Sequence, residues 1–139
     1  HVVPLRNKFA RLARKLNDNG QQEKAIEVLD RSMELTPHQQ LPYDIWVLEV
    51  VKEYYRAGAT QKANQLAEKL AGYTEDQINY FFGLSQPFFN LTQNNQRMAL
   101  HIMHRLSQIT GNYGQDELSK KYENIVNNNT SAMQGGGIR

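Results

Sequence analysis

The sequence contains no cysteine among its 139 residues, which excludes disulfide bonds, thiol nucleophiles and thiolate metal sites. It has no apolar run approaching about 18 residues, so no segment is expected to span a bilayer. Basic residues exceed acidic ones by a net charge of +2, too little to indicate a polyanionic partner. With 40% hydrophobic and 22% charged residues, the composition is typical of a soluble globular domain.

Motifs for catalysis are also missing. The sequence has no glycine-rich phosphate loop, no serine nucleophile elbow and no pair of carboxylates at a catalytic spacing. Its glycine run, Gly135-Gly136-Gly137, lacks the strand and helix that a phosphate loop requires. The sequence therefore predicts a chain that is not itself an enzyme and has no catalytic residues and no cofactor.

The sequence does contain strong helical periodicity. The segment Asp44–Gly58 is apolar on most sides, which predicts a central helix with neighbours on more than one face. Asp44 is its expected N-cap and Gly58 its end. A narrow polar strip completes this helix: Glu49, Lys52, Glu53 and Arg56.

Apolar periodicity predicts further helices on both sides of the central one. Thr60 is expected to cap a helix that Gly72 ends, and Thr74 to cap the next, which Pro87 breaks. Residues 127–139 are rich in Asn, Ser and Gly and are predicted to be a flexible tail. The other predicted helices are Arg6–Asn19, Gln21–Leu35, Gln61–Ala71, a segment from Glu75, Gln93–Thr110 and Asp116–Val126.

Two helix hairpins repeat along the chain. Gly20 and Gly58 are 38 residues apart, and so are Ala25 and Ala63. This resembles the tetratricopeptide repeat, whose period is about 34 residues, with the excess in Thr36–Tyr43. The fold expected is all-α: about six to seven helices, paired as antiparallel hairpins and stacked in a short tetratricopeptide-like right-handed superhelix. One domain is predicted over residues 1–126, with units at 6–37, 44–72 and 74–110 and a capping helix at 116–126.

The first predicted helix is strongly basic. Its cations suit an acidic peptide, a phosphate or a nucleic acid, or they form an ordinary solvated face. No aromatic residues interleave to stack bases, which argues against nucleic acid. These cations are Arg6, Lys8, Arg11, Arg14 and Lys15.

The resemblance to tetratricopeptide repeats implies a groove for an extended peptide, lined by the first helix of each hairpin. An alternative is that the third unit fills this groove. Mapped by the repeat spacing, the predicted partner-binding residues are Asn7, Arg11, Arg14, Leu48, Lys52 and Tyr55, joined by Ala10 and Asn17 at the edge of the first helix.

A second candidate site lies later in the chain. His101 and His104 are three residues apart on one helix, but no carboxylate lies within a turn of them, so no metal site is predicted. Four of the five phenylalanines cluster around Pro87 and suit either a core or a hydrophobic partner site. A ligand-binding or catalytic pocket near these residues is the alternative function, and a structural spacer is a third. The clustered residues are Phe81, Phe82, Phe88 and Phe89.

Four sequence blocks carry a more specific resemblance. They are Arg6-Asn7-x-Phe9-Ala10-x-Leu12-Ala13, Met33-Glu34-x2-Pro37-His38-x3-Pro42-Tyr43-Asp44, Tyr54-Tyr55-x-Ala57-Gly58 and Tyr113-Gly114-Gln115-x-Glu117-Leu118. Over residues 6–126 they resemble the C-terminal region of large multi-spanning membrane proteins of Bacteroidetes, a family catalogued as a domain of unknown function. The membrane half of that family resembles protein O-mannosyltransferases.

The resemblance implies a helical-repeat appendage of a glycosyltransferase-like membrane protein, with the catalytic residues elsewhere in the parent. Its partner would be a protein, a peptide or the parent's own membrane half. Its expected location is the periplasmic side of a bacterial inner membrane. The start at His1-Val2-Val3-Pro4, without an initiator methionine or a signal peptide, is typical of a fragment of a larger protein.

Overall fold

The computed structural model describes residues 4–134, with side chains up to Thr130, and this part of the chain contains seven α-helices and no strand. The all-α class and the number of helices are therefore confirmed. The chain divides into two compact units, unit 1 ending at Leu70 and unit 2 beginning at Ala71. The single domain over residues 1–126 and its finer division stay predictions. The helices are α1 (Leu5–Asp18), α2 (Gln22–Leu35), α3 (Ile45–Arg56), α4 (Thr60–Phe82), α5 (Phe88–Leu91), α6 (Gln93–Asn112) and α7 (Asp116–Gln134).

Two glycine turns close the helix hairpins of unit 1. Gly20 has a φ of 76° and Gly58 a φ of 82°, the left-handed conformation that glycine adopts without strain. Backbone bonds then return to the last helical turn, as from the N–H of Gln21 to the carbonyl of Leu16 at 2.8 Å. The helix ends predicted at these two glycines are confirmed.

Small side chains hold α1, α2 and α3 together. Ala13 on α1 and Ala25 on α2 are fully buried, which allows the helices to approach closely. Larger buried residues fill the remaining space, among them Leu29 on α2 and Val47 and Val50 on α3. The central position predicted for α3 follows from this packing against both α1 and α2.

Arg6 does not belong to the basic surface predicted for α1, because its side chain is fully buried. Its guanidinium donates to the hydroxyl and carbonyl of Thr36 and to the carbonyls of Leu41 and Pro42, at 2.5 to 3.0 Å. The carboxylate of Asp44 lies 3.6 Å away. Burial lowers the pKa of Arg6 and Asp44 opposes the shift. Arg6 thus ties the start of α1 to the segment between α2 and α3.

That segment is ordered by its own side chains as well. The N–H of Tyr43 donates to His38 Nδ1 at 2.9 Å, and the two rings meet edge to face with centroids 5.0 Å apart. The Arg6 guanidinium lies over the Tyr43 ring, 5.0 Å from its centroid. Asp44 then accepts a bond from the N–H of Trp46 at 3.1 Å, which confirms it as the N-cap of α3.

The fourth helix is longer than predicted. α4 passes through Gly72, where an end was expected, and through Thr74, which was expected to cap a new helix. A glycine inside a helix costs about 1 kcal/mol relative to alanine, less than burying one large apolar side chain provides. A buried stripe at helical spacing runs unbroken across the glycine: Ala67, Leu70, Ala71, Thr74, Ile78 and Phe82.

In unit 2, α6 and α7 pack along each other. Met103 and Leu106 on α6 and Tyr122 on α7 are fully buried. The short helix α5 adds Phe89, whose ring meets that of Phe82 edge to face with centroids 5.9 Å apart. Two of the clustered phenylalanines therefore belong to the core, as the simpler interpretation of the cluster predicts.

The last helix also extends beyond its predicted end at Val126. α7 continues to Gln134, so residues 127–134 of the predicted flexible tail are helical. The side chains of Asn129 and Thr130 donate to the carbonyls of Ile125 and Val126, each at 2.7 Å. These polar residues bond to their own helix and do not end it. Residues 135–139 lie outside the described part of the chain.

Candidate binding groove

A groove runs between α1 and α3 on one side of unit 1. It encloses about 320 Å³. Each wall is one stripe of side chains that repeats every three or four residues, as the face of a helix does. The lining residues are Asn7, Ala10, Arg11 and Arg14 on α1 and Trp46, Glu49, Lys52 and Glu53 on α3.

Three cations of the groove form no close ion pair within the described residues, although Arg14 lies near enough to Asp18 to help lower the pKa of that carboxyl. No carboxylate oxygen there lies within 4.0 Å of the charged nitrogens of Arg11, Arg14 or Lys52. The two arginines are exposed and Lys52 is half-buried. Glu49 is the one groove carboxylate that is likewise without an ion pair in residues 4–134. The groove therefore carries an excess of positive charge, which attracts anionic groups over roughly one Debye length, ~8–10 Å.

The carboxylate of Glu53 forms part of the groove floor. Although the sequence places Glu53 in the polar strip, its side chain is nearly fully buried. Its Oε1 accepts from Asn17 Nδ2 at 3.0 Å and from Arg56 Nη1 at 2.8 Å. Arg56 also donates to Asp18 at 2.5 Å, and this bond raises the pKa of Arg56 and lowers that of Asp18. Glu53 is thus compensated and fixes α3 to the end of α1.

The structure brings together only part of the predicted groove. Leu48 and Tyr55 are buried and do not line it. The repeat spacing makes Leu48 and Tyr55 equivalent to Ala10 and Asn17, which lie at the inner edge of the α1 stripe. The equivalent edge of α3 faces α4. The hydroxyl of Tyr55 accordingly donates to Asn64 on α4 at 2.5 Å. Asn17, also predicted, does not line the groove either. The predicted residues that do line the groove are Asn7, Ala10, Arg11, Arg14 and Lys52.

Trp46, Glu49 and Glu53 line the groove without having been predicted there. Their positions could have been predicted, because spacings of three and seven residues from Trp46 place all three side chains on one face of a helix. The half-buried Trp46 forms one end of the α3 wall.

The burial of Tyr55 has a measurable consequence at high pH. Burial raises its pKa from 10 to about 12, so the unfolded chain loses this proton before the folded one does. The stability that Tyr55 contributes is complete below pH 10 and is lost as the pH rises toward about 12. We expect the free energy of unfolding of Tyr55→Phe to fall less steeply over this range than that of the wild type. Parallel urea midpoints for both proteins across the range would contradict this.

The second candidate site is not assembled as predicted. His104 lines a separate pocket of about 320 Å³ between α6 and α7 in unit 2, but His101 and the clustered phenylalanines do not line it. Both histidines are exposed on α6. Among residues 4–134, no group of three or more side chains is placed to hold a metal ion. Polar side chains make up most of this pocket, including Ser107, Gln108, Asn112, Ser119, Glu123 and Asn127.

Comparison with known proteins identifies no relative of this chain. No protein-family model, no curated protein and no solved structure matches the chain. In the part of the chain that the structure describes, none of the helices has the length and apolar character to cross a membrane.

Proposed function

We propose that unit 1 is a non-catalytic docking module whose α1–α3 groove binds an extended, acidic segment of a partner protein. The observation that carries this proposal is the set of three cations, Arg11, Arg14 and Lys52, that line one groove and form no ion pair within 4.0 Å in the described chain. Because their charged groups form no close ion pair with the chain's own carboxylates, these three cations are available to an anionic group of a partner.

The groove has suitable groups for each part of a peptide. The guanidinium groups of Arg11 and Arg14 can each hold a carboxylate through two parallel hydrogen bonds, while Lys52 offers a point charge from the opposite wall. The indole of Trp46 offers apolar area beside the Asn7 amide, which can bond a peptide carbonyl. Glu49 would disfavour a continuous run of negative charge, and this supports a peptide over a nucleic acid.

The wider context of the module is part of the same proposal. The hairpins closed by Gly20 and Gly58, 38 residues apart, support a short tetratricopeptide-like superhelix. The sequence blocks of residues 6–126 support a place as the C-terminal appendage of a glycosyltransferase-like membrane protein, on the periplasmic side. The acidic segment would then belong to an acceptor protein or to the parent's own membrane half.

The groove predicts a charge-dependent affinity. The probe is a disordered peptide of glutamate, serine and glycine, with its lysine counterpart as the reverse-charge control. Arg11→Glu/Arg14→Glu should weaken glutamate-peptide binding at least tenfold, ~1.4 kcal/mol, because two attractions become repulsions. Quenching of Trp46, the single tryptophan, and titration calorimetry measure it. Raising salt from about 50 to 500 mM should weaken binding as well.

The matched control is Lys8→Glu/Lys15→Glu, which makes the same charge change on the same helix outside the groove. It should leave most of the affinity intact. Equal losses in the two double variants would mean that only net charge matters, and the groove proposal would fail. Equal binding of the glutamate and lysine peptides by the wild type would also contradict it.

A further inference from the structure

The hairpin of α1 and α2 carries a second, separate surface. Three of its leucines are large apolar side chains left open to water: Leu5, Leu12 and Leu35, at 43, 46 and 47% exposure. Phe9, Leu16 and Val28 are half-buried. These six residues are named the outer face.

Helical spacing places the outer face on the side away from the groove. On α1, Leu5, Phe9, Leu12 and Leu16 recur every three or four residues, and the groove stripe that starts at Asn7 lies on the other side of the buried residues. On α2, Val28 and Leu35 are seven residues apart and share a stripe.

The antiparallel course of the hairpin joins these stripes into one surface. The bonds from Arg6 to Thr36 place the start of α1 beside the end of α2, so Leu5 and Leu35 lie at the same end of the hairpin. Leu5 and Leu16 are eleven residues apart, so the face is ~16 Å long, about three helical turns. That length matches one short helix lying along the hairpin.

The charges on the α1 side of this surface are cationic, whereas α2 carries both signs, with exposed Glu27 and Glu34 next to Val28 and Leu35. Lys8 and Lys15 are exposed along the α1 side, and Lys24 is exposed on the α2 stripe. None of the three has a carboxylate partner within residues 4–134. The cation Arg31 shares the α2 stripe and is paired only with Glu34 of its own helix, at 3.6 Å. An apolar strip bordered by uncompensated lysines is complementary to an apolar strip bordered by carboxylates.

We propose that the outer face docks an amphipathic helix of a partner protein, with leucine-like residues against Leu5, Leu12 and Leu35 and glutamates facing Lys8 and Lys15. This is the helix-in-groove mode of recognition, in which anchors three, four and seven residues apart insert into an apolar surface. The proposal is independent of peptide binding in the α1–α3 groove.

The test uses the full chain and two synthetic helical peptides with the same leucine stripe, one flanked by glutamates and one by lysines. Calorimetry should show binding of the glutamate peptide, weakened at least tenfold by Leu12→Gln/Leu35→Gln. Lys8→Glu/Lys15→Glu should reverse the preference, so that the lysine peptide binds more tightly. Glutamine is a good helix former and both leucines are half-exposed, so the substituted chain should fold. Circular dichroism checks this.

Arg11→Glu/Arg14→Glu is the matched control, because it changes α1 charge by the same amount on the groove side. The affinity of this variant for the helical peptide should stay within about twofold of the wild type, because a surface charge outside the contact contributes little to binding. Equal binding of the two peptides by the wild type, or equal losses in the two charge variants, would overturn the proposal. Sedimentation showing self-association that Leu12→Gln/Leu35→Gln abolishes would assign the face to a second copy and overturn it too.

Discussion

Replacing Arg6 with alanine is expected to lower the free energy of unfolding by about 3–5 kcal/mol, because several acceptors lose a charged donor at roughly 1–3 kcal/mol for each one left unsatisfied. The guanidinium is fully buried and donates to the Thr36 hydroxyl and to three backbone carbonyls, those of Thr36, Leu41 and Pro42. Alanine would leave these acceptors without donors and Asp44 without its counter-ion. The α2–α3 connection would loosen, and with it the start of α3.

Urea unfolding followed by Trp46 fluorescence measures this loss, because Trp46 is the only tryptophan and lies in unit 1. Arg11→Ala, an exposed arginine of the same helix, is the control and should stay within about 0.5 kcal/mol of the wild type. Arg6→Lys should recover only part of the loss, because an ammonium cannot reproduce the planar set of donors. A loss below about 1 kcal/mol in Arg6→Ala would show that solvent satisfies the connection equally well.

Arg6 also shows where sequence reasoning stops. A charged residue on a basic helix is expected in solvent, and all four of its acceptors lie at least 30 residues away in the chain. One signal was present, because Arg6 stands in register with Ala10 and Ala13 on the inward stripe. Three of the four acceptors are backbone carbonyls, whose positions no side-chain pattern encodes.

The predictable parts of the fold are those that local chemistry determines. Gly20 and Gly58 end helices because the turn requires a positive φ, and Asp44 caps α3 through its own side chain. Gly72 was treated as equivalent to these glycines, but it lies within a continuous buried stripe and α4 passes through it. Glycine therefore predicts an end only where the apolar period also stops.

Only part of the candidate groove could be predicted from the repeat spacing. Repeat spacing transfers a position from one hairpin to the next, and it correctly paired Arg14 with Lys52. It failed for Tyr55, because the equivalent edge of α3 is covered by α4. A repeat gives the direction of a side chain relative to its own helix, whereas exposure depends on the neighbouring helix.

In unit 2, replacing Phe89 with alanine is expected to lower the free energy of unfolding by about 3–5 kcal/mol. The ring is fully buried and meets Phe82 edge to face at 5.9 Å. Its carbonyl accepts from the buried Gln96 amide at 2.6 Å, so the backbone there is also fixed and cannot readily close the cavity. A four-residue helix has little stability of its own, and Phe89 is its one buried side chain.

Phe88→Ala is the matched control, since the adjacent residue in the same helix has the same side chain at 58% exposure. It should cost no more than about 0.5 kcal/mol, as surface substitutions do. Urea unfolding followed by far-ultraviolet circular dichroism, fitted without assuming a single transition, compares the two variants. Losses of no more than about 0.5 kcal/mol in both variants would mean that both rings lie at the surface, in which case the assignment of Phe89 to the core would be wrong. A large loss in Phe89→Ala alone would leave Phe88 free for contact outside unit 2.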